Sequence, residues 1–565
     1  MNTKISTLAL LSLLSWGTQA SATSFYSIEE IATSSPTQYG PWALGMAKDN
    51  SVASFVSKND WFSYFNMAPN GMDLAHRLSY EMSCDTQLAS TVCSAFWDGS
   101  ANKALQWRYD TLSYVSQLTT QLDGAQTGEQ DGIITKLGAT KSQFVGYKVA
   151  AAPTNSSYYH ERNGFVSING TQTQLAPKYS LGGMGGFSSA YDLLPVGDLY
   201  LVAGTANTSV VAPDDSFARC YQGDTYSNGE FIRCPGFNTQ AAFWLVNGSE
   251  SSVVPELSPG YYRANNDVLQ TSSALGLTAL DNGQLLAVGY SSTDAVGNGP
   301  QSGRSVAVTW SLNVSAGAVS VGAPNRIPLP LIAPGEGDEV LRNTWAVAAN
   351  SQGYVIGNQK FSSAKSRNLP VEMFVYNVNT GATTVPYSDI PRGGANSEAA
   401  AINSKGQVVG WQDERNESQP VYQGSPRQQE AFLYNVATAQ GWRLNDLICS
   451  TASGEKSCQQ NGSYYFIANA VAINDDGSVA ATAYRYASLD DWKIRANPTV
   501  VTVRLSPNAA FDSNGNVPAS MVVENALPTN DYGKSNGGGA ISWLFLTLLA
   551  PFAWLRRRSS EKKMS

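Results

Sequence analysis

Acid–base or nucleophilic chemistry needs carboxylates, histidines or activated hydroxyls brought together. The chain has only two histidines, His76 and His160. Its carboxylates gather at Asp214-Asp215, at Glu336, Asp338 and Glu339, and at Asp490-Asp491. Such groups can cleave glycosides or hold calcium, but here each stands among turn-forming residues, where solvated acids are ordinary. Asp512-Ser513-Asn514-Gly515-Asn516 opens like a calcium loop, yet lacks the turn glycine and the closing glutamate. There is no G-x-S-x-G, H-E-x-x-H or phosphate-loop pattern. The expectation is therefore no assigned catalytic, cofactor-binding or metal residue. Trp411, Trp442, Tyr464, Tyr465, Tyr484 and Tyr486 could stack on sugars, but core packing is the simpler role for them.

The cysteines fall in three local pairs, Cys84 with Cys93, Cys220 with Cys234 and Cys449 with Cys458. No pair has the C-x-x-C spacing of a zinc site. An even count in an exported chain reads as disulfides, of which the sequence-local pairing is the simplest.

What must position such residues is a repeat. Ala346-Val347-Ala348-Ala349-Asn350-Ser351-Gln352-Gly353-Tyr354-Val355-Ile356-Gly357 matches Ala399-Ala400-Ala401-Ile402-Asn403-Ser404-Lys405-Gly406-Gln407-Val408-Val409-Gly410. Glu372-Met373-Phe374-Val375-Tyr376 follows the first block, and Glu430-Ala431-Phe432-Leu433-Tyr434 the second. A third copy starts at Ala470. Each block is strand, glycine turn and strand; after a variable loop comes a third strand, and Trp442-Arg443-Leu444 reads as a fourth. Four strands per repeat is a β-propeller blade. Weaker hairpins at 43–56, 134–147, 190–204 and 275–290 bring the number to about seven. The expected fold is all-β, a propeller over 23–506, with Phe25-Tyr26-Ser27-Ile28 pairing with the final strand near 499–505. Leu112, Val115, Leu118 and Leu122 have helical spacing, so 59–130 is expected as a small helical insertion stapled by Cys84–Cys93.

These blocks resemble the HAF-type extracellular repeat, best from Ile390-Pro391-Arg392-Gly393-Gly394 through Tyr434, with Leu181-Gly182-Gly183-Met184-Gly185-Gly186 echoing its glycine opening. Glu372 and Glu430 stand near the place where that pattern has histidine. The resemblance implies an uncharacterised Gram-negative surface family and supplies no catalytic residues.

The ends read as addresses. Lys4, the apolar run 5–16 and Ala20-Ser21-Ala22 describe a signal peptide over 1–22, cleaved after Ala22 or Ala20. Residues 507–536 are rich in Asn, Ser, Pro and Gly and read as a flexible linker. Gly537-Gly538-Gly539, the apolar run 540–555 and Arg556-Arg557-Arg558 form a short transient membrane helix with a positive inside end. Residues 537–565 resemble the GlyGly-CTERM sorting signal. That resemblance implies cleavage by a rhomboid-type protease, rhombosortase, often with type II secretion and retention at the cell surface or outer membrane.

The whole chain carries a formal charge of −8. Removing the ends takes away Lys4, Arg556, Arg557, Arg558, Lys562 and Lys563 against one acid, Glu561. The remainder is more acidic still, which excludes nucleic acid as a partner. The reading is an exported surface propeller that binds a polysaccharide or envelope protein without catalysis. The alternatives are a propeller hydrolase or lyase acting on extracellular polymer, and a structural coat component.

Overall fold

The computed structural model describes residues 23–33, 39–57, 118–124, 126–130, 132–149, 162–178, 188–210, 237–258, 272–292, 305–329, 332–333, 340–361, 370–387, 395–414, 429–452 and 455–524. Seven small sheets form a seven-bladed β-propeller. Blade 1 runs Tyr39–Met46, Val52–Ser57, Leu118–Leu122 and Gln126–Gln130. Blade 2 runs Gly132–Leu137, Gln143–Val149, Arg162–Ile168 and Thr171–Leu175. Blade 3 runs Ser188–Val196, Leu199–Val210, Phe237–Val246 and Glu256–Leu257. Blade 4 runs Ser272–Ala279, Leu285–Ser292, Ser305–Ser315 and Ala318–Val321. Blade 5 runs Val340–Ala349, Tyr354–Phe361, Val371–Asn377 and Thr383–Thr384. Blade 6 runs Ser397–Ile402, Gln407–Asp413, Gln429–Asn435 and Gln440–Arg443. Blade 7 runs Ser463–Ile473, Val479–Tyr486 and Thr499–Pro507, and takes its outer strand, Tyr26–Glu30, from the start of the chain.

That outer strand pairs antiparallel with Thr499–Pro507, from Tyr26↔Pro507 to Glu30↔Val503. Phe25 and Tyr26 are fully buried. The expected closure is found, and it covers an edge that would otherwise invite aggregation. The first strands of neighbouring blades touch all the way round, blade 7 against blade 1 included. Apolar side chains between successive blades make the core, in clusters around Phe55, Tyr290 and Phe432, around Phe466 and Val503, and around Phe243 and Trp310.

Every first strand has an extra residue at the same place, and those of blades 1 and 7 have a second register shift further toward the open end. The register skips Leu44, Thr135, Tyr191, Leu275, Val347, Ala400 and Val471 in turn. Such a bulge bends the strand and increases its twist. Opposite it stands the glycine that ends the repeat's V-V-G. A Cβ on Gly146, Gly204, Gly289, Gly357 or Gly410 would overlap the carbonyl oxygen of Ile133, Ser189, Ser273, Trp345 or Glu398 respectively. In these five blades the close carbonyl leaves room only for glycine, whereas Ser54 and Ala481 stand opposite the bulges of blades 1 and 7.

The repeat's asparagine joins blades. Asn350 Nδ2 donates to the Asn403 carbonyl at 3.1 Å, Asn403 Nδ2 to that of Asn474 at 3.0 Å, and Asn474 Nδ2 to that of Ala47 at 2.7 Å. Asp281 N–H to Ser351 O, Lys48 N–H to Gly138 O and Gln143 Nε2 to Tyr200 Oη continue the contacts between neighbouring hairpin ends. All the first hairpin turns therefore share one end of the propeller, the turn face. Asn403 also accepts from the amides of Lys405 and Gln407 in its own turn, at 3.1 and 2.9 Å.

Three expectations change. Leu118–Leu122 and Gln126–Gln130 are the outer strands of blade 1, not the end of a helical insertion. Thr120 Oγ1 donates to the Gly132 carbonyl, and Leu122 is buried. The remaining insertion, including Cys84 and Cys93, lies outside the described residues. Leu444 begins a short helix, α1 (Leu444–Leu447), rather than ending a strand. Residues 508–524 are packed, not a stalk. Asn508 N–H donates to Phe25 O, Asn435 Nδ2 to Asn514 O, Gln407 Nε2 to Gly515 O and Val523 N–H to Asp446 O. Val517 and Val523 are buried in the blade 6–7 core.

Gly410→Ala should lower stability by about 3 kcal/mol, whereas Gly45→Ala, whose Cβ would meet nothing within 4 Å, should change it by less than about 0.5 kcal/mol. Urea denaturation of both variants checks this; equal losses would contradict the bulge–glycine account. By the same measurement Asn403→Ala should cost about 2–3 kcal/mol, since it strands buried partners on two blades.

Candidate functional site

In an antiparallel four-stranded blade the second-to-third and fourth-to-first connections leave from the same end, opposite the first hairpin turn. The second and third strands begin and end their connections at this open face; the connection 487–498 is described, while 58–117, 150–161, 211–236, 293–304, 362–369 and 415–428 lie outside the described residues. The first hairpin turns on the opposite face are short, as 403–406 shows in blade 6. Variable loops on a rigid scaffold are where function concentrates.

Just ahead of each bulge, on the side toward the open face, one residue of the first strand pairs with one of the second. The pairs are Trp42↔Phe55, Ile133↔Tyr147, Ser189↔Thr205, Ser273↔Tyr290, Trp345↔Asn358, Glu398↔Trp411 and Asn469↔Thr482. Paired side chains share a face of the sheet. The small polar members act between blades. Asn358 exchanges hydrogen bonds with the Ala399 backbone, Thr205 Oγ1 donates to Ser272 O, and Thr482 Oγ1 accepts from Ala43 N–H.

Blade 6 departs from this pattern. Glu398 is the one carboxylic acid in the seven pairs, and Trp411 is part-exposed where Phe55, Tyr147 and Tyr290 are buried. Burial pushes the Glu398 carboxyl up to about 7, and the Lys360 ammonium of blade 5 works against that shift. The side chain is part-exposed, between buried Ser397 and Ala399. Lys360 itself is buried.

Beside it, blades 6 and 7 are tied at the open face. Glu414 forms a two-pronged ion pair with Arg495, Nη1 to Oε2 at 2.7 Å, with both side chains nearly inaccessible. The Arg495 guanidinium lies 5.1 Å from the Phe466 ring centre, within cation–π range. Arg495 ends helix α2 (Leu489–Ile494) in the left-handed conformation, φ 55°.

The sequence candidates are placed as follows. Asp491 is a capping residue. It accepts from Ser488 Oγ at 2.6 Å and Asn497 Nδ2 at 3.1 Å, which together hold its carboxyl below the usual range, while Ser488 caps α2 through the Asp491 amide. Asp512 closes a turn by accepting from the amides of Asn514 and Asn516, and Asn516 Oδ1 accepts from Asn435 and Thr438. These are architectural contacts. Among the described residues no cluster of His, Cys, Asp and Glu could hold a metal.

Glu430 pairs with Arg443 at 2.8 Å, and Glu372 accepts from Gln359 Nε2 at 3.1 Å. Trp442, Tyr464 and Tyr484 pack against the blade 6–7 core, and Tyr465 and Tyr486 are buried within it. Core packing is thus the role of these aromatics. Cys449–Cys458 is a disulfide beside blade 7. His76, His160, Asp214, Asp215, Glu336, Asp338, Glu339, Cys220, Cys234, Ala20, Ala22 and Gly537–Gly539 lie outside the described residues. Among the described residues no helix is long and apolar enough to cross a membrane, and the run 540–555 is not among them. Glu398 was not singled out by sequence reasoning. Aligning the repeats one residue upstream, where Trp345 faces Glu398, is the signal that finds it.

The family model described as "Protein of unknown function (DUF3466)" matches residues 2–558. The chain belongs to the DUF3466 family. No curated protein matches this DUF3466 chain in sequence. Among solved structures it is similar to a polysaccharide lyase of family PL25, an ulvan lyase bound to -[GlcA(1-4)Rha3S]-. The identity is 10%, the TM-score 0.29, and the match covers 61% of this chain and 78% of that one. An acylaminoacyl peptidase of Pyrococcus horikoshii matches at 9% identity and TM-score 0.31, over 80% of this chain and 51% of that one, about half its length. Levansucrase of Bacillus subtilis matches at 13% and 0.26, over 63% and 93%. Likenesses this distant say nothing about the chemistry of the DUF3466 channel.

The raised carboxyl has a pH consequence. Below about pH 4.5 Glu398 is protonated in both folded and unfolded states and costs nothing. Between 4.5 and about 7 the folded state keeps a proton the unfolded state has lost, so stability falls as pH rises. Glu398→Gln should therefore be more stable than the parent at pH 8, by up to about 3 kcal/mol, and equal to it at pH 4. Denaturant midpoints at both values check this; the same difference at both would contradict it.

Proposed function

We propose that the protein is an exported surface propeller that binds an extracellular partner, with polysaccharide the first candidate, through its open face. The observation that carries this reading is the asymmetry of the two faces. The turn face is occupied by the asparagine bridges and the strap 508–524. The open face carries every second-to-third connection and the one blade that breaks the repeat. The terminal signals support export, surface sorting by a rhomboid-type protease and a secretion route such as type II. The Cys449–Cys458 disulfide suits an oxidising compartment.

A second reading, a hydrolase or lyase of extracellular polymer, is favoured by one observation. A carboxyl near 7 is suited to general acid catalysis at neutral pH. The face asymmetry speaks for binding whether or not chemistry follows, so binding leads.

Incubating the processed chain, residues 23–536, with bacterial and algal polysaccharides separates the readings. Retention of polymer without new reducing or unsaturated ends is the expected result. Released ends would make the protein an enzyme. Absence of retention would remove polysaccharide as the partner and leave an envelope protein or a structural coat role.

A further inference from the structure

Ring closure depends on one strand, Tyr26–Glu30, the last in the blade 7 sheet. In antiparallel pairing, alternate residues point their backbone groups to opposite sides. Phe25 O accepts from Asn508 N–H at 2.7 Å and Ile31 N–H donates to Thr502 O at 2.9 Å, both on the side of the final strand. The backbone groups of Tyr26 and Ile28 therefore face the free edge. Side chains meet them there. Ile28 N–H donates to Gln460 Oε1 at 2.8 Å, and Gln460 Nε2 donates to Tyr26 O at 2.9 Å. Asn461 Nδ2 donates to Ile28 O at 2.8 Å. The Gln460 amide thus stands in for one residue of a further strand.

What places these two side chains is a clip. Gln459 and Gln460 pair with Tyr464 and Ser463 across a turn at Asn461-Gly462, both at positive φ. Two residues ahead of Gln460, Cys458 is bonded to Cys449. Cys449 follows α1, whose Leu444 and Leu447 are buried with Ile448 in the blade 6–7 core. Gln460 Nε2 also donates to Ile448 O at 2.8 Å, beside Cys449. By contrast Glu455, Lys456 and Ser457, in the hairpin between the two cysteines, are exposed. The disulfide therefore ties Gln460 and Asn461 to the core. The same hairpin reaches the other end of the fold, where Lys456 Nζ donates to Glu524 O at 3.2 Å.

We propose that Cys449–Cys458 is a redox-dependent latch on ring closure. With the bond formed, Gln460 and Asn461 hold the closing strand. With it reduced to two thiols, that strand parts from blade 7 before the rest of the fold opens. Forming the bond passes two electrons and two protons from the cysteines to an external disulfide, which leaves as two thiols. A chain in a reducing compartment keeps its ring unlatched. This goes beyond the open-face reading and holds whatever that face binds.

The test measures hydrogen exchange on the processed chain, on the double variant Cys449→Ala/Cys458→Ala and on Gln460→Ala. The double variant spares the other four cysteines, which a reductant would not. Ile31 and Asn508 report closure, since their amides bond across the closing pair and not to the clip. Both variants should exchange these two amides at least tenfold faster, about 10-fold being a resolvable local opening, with 285–292 in blade 4 unchanged. Faster exchange confined to 449–462 would make the disulfide a staple of its own loop and overturn the proposal. Equal acceleration in every blade would overturn it too, as a general loss of stability. Acceleration in Gln460→Ala but not in the folded double variant would show that the clip holds without the bond, and would contradict the latch. Where the double variant does not fold, Gln460→Ala, which keeps the disulfide, decides. Accelerated exchange at Ile31 and Asn508 then supports the latch, and unchanged exchange ends it.

Discussion

The carbonyl ahead of each bulge approaches the neighbouring strand so closely that in five blades only glycine fits opposite it. Much else depends on this contact. The extra residue bends every first strand in the same sense, and seven such strands close around one axis. Because the glycine brings no side chain, the first and second strands sit tightly together. The residue ahead of the bulge and its second-strand partner then share one side of the blade near the channel. The pairing of Glu398 with Trp411 is a product of that geometry.

Closure uses polar contacts as well as apolar burial. The three asparagines bond to the next blade's turn, and Asn358, Thr205 and Thr482 do the same at the other end of the strands. Each bond fixes the rotation of one blade against the next, which non-directional apolar contact does not. The strap 508–524 adds a tie across blades 6 and 7 and gives Asn435, Gln407 and Thr438 their partners. An acidic protein poor in charged residues thus builds its specificity from amides and hydroxyls.

The hairpins were legible because N-x-x-G turns and β-branched return strands have local causes, and the ring closure because Phe25-Tyr26-Ser27-Ile28 looks like a displaced outer strand. The outer strands of blade 1 were hidden by their polarity. Thr120 and Gln121 are buried, and their hydrogen-bond partners do not show in a hydrophobic pattern. Residues 508–524 misled for a related reason: the Asn, Ser and Gly that suggest a linker are the groups that dock on the turn face. Asp491 and Asp512 looked like ligands and proved to be local caps, since short acidic side chains near turns find backbone amides first. Glu398 carries no motif of its own. It becomes visible only when the seven blades are aligned and one position carries charge where its equivalents are apolar or small.

The central claim is that the repeat motif builds the ring while binding occurs at the open face, where blade 6 departs from the repeat. Hydrogen exchange with and without a retained polysaccharide tests it most directly. The account expects slowed exchange around 397–399 and 410–413 and in the connections that leave that face, with the turns at 350–353, 403–406 and 474–477 unchanged. Slowed exchange confined to those turns or to 508–524 would place the partner on the opposite face and contradict it.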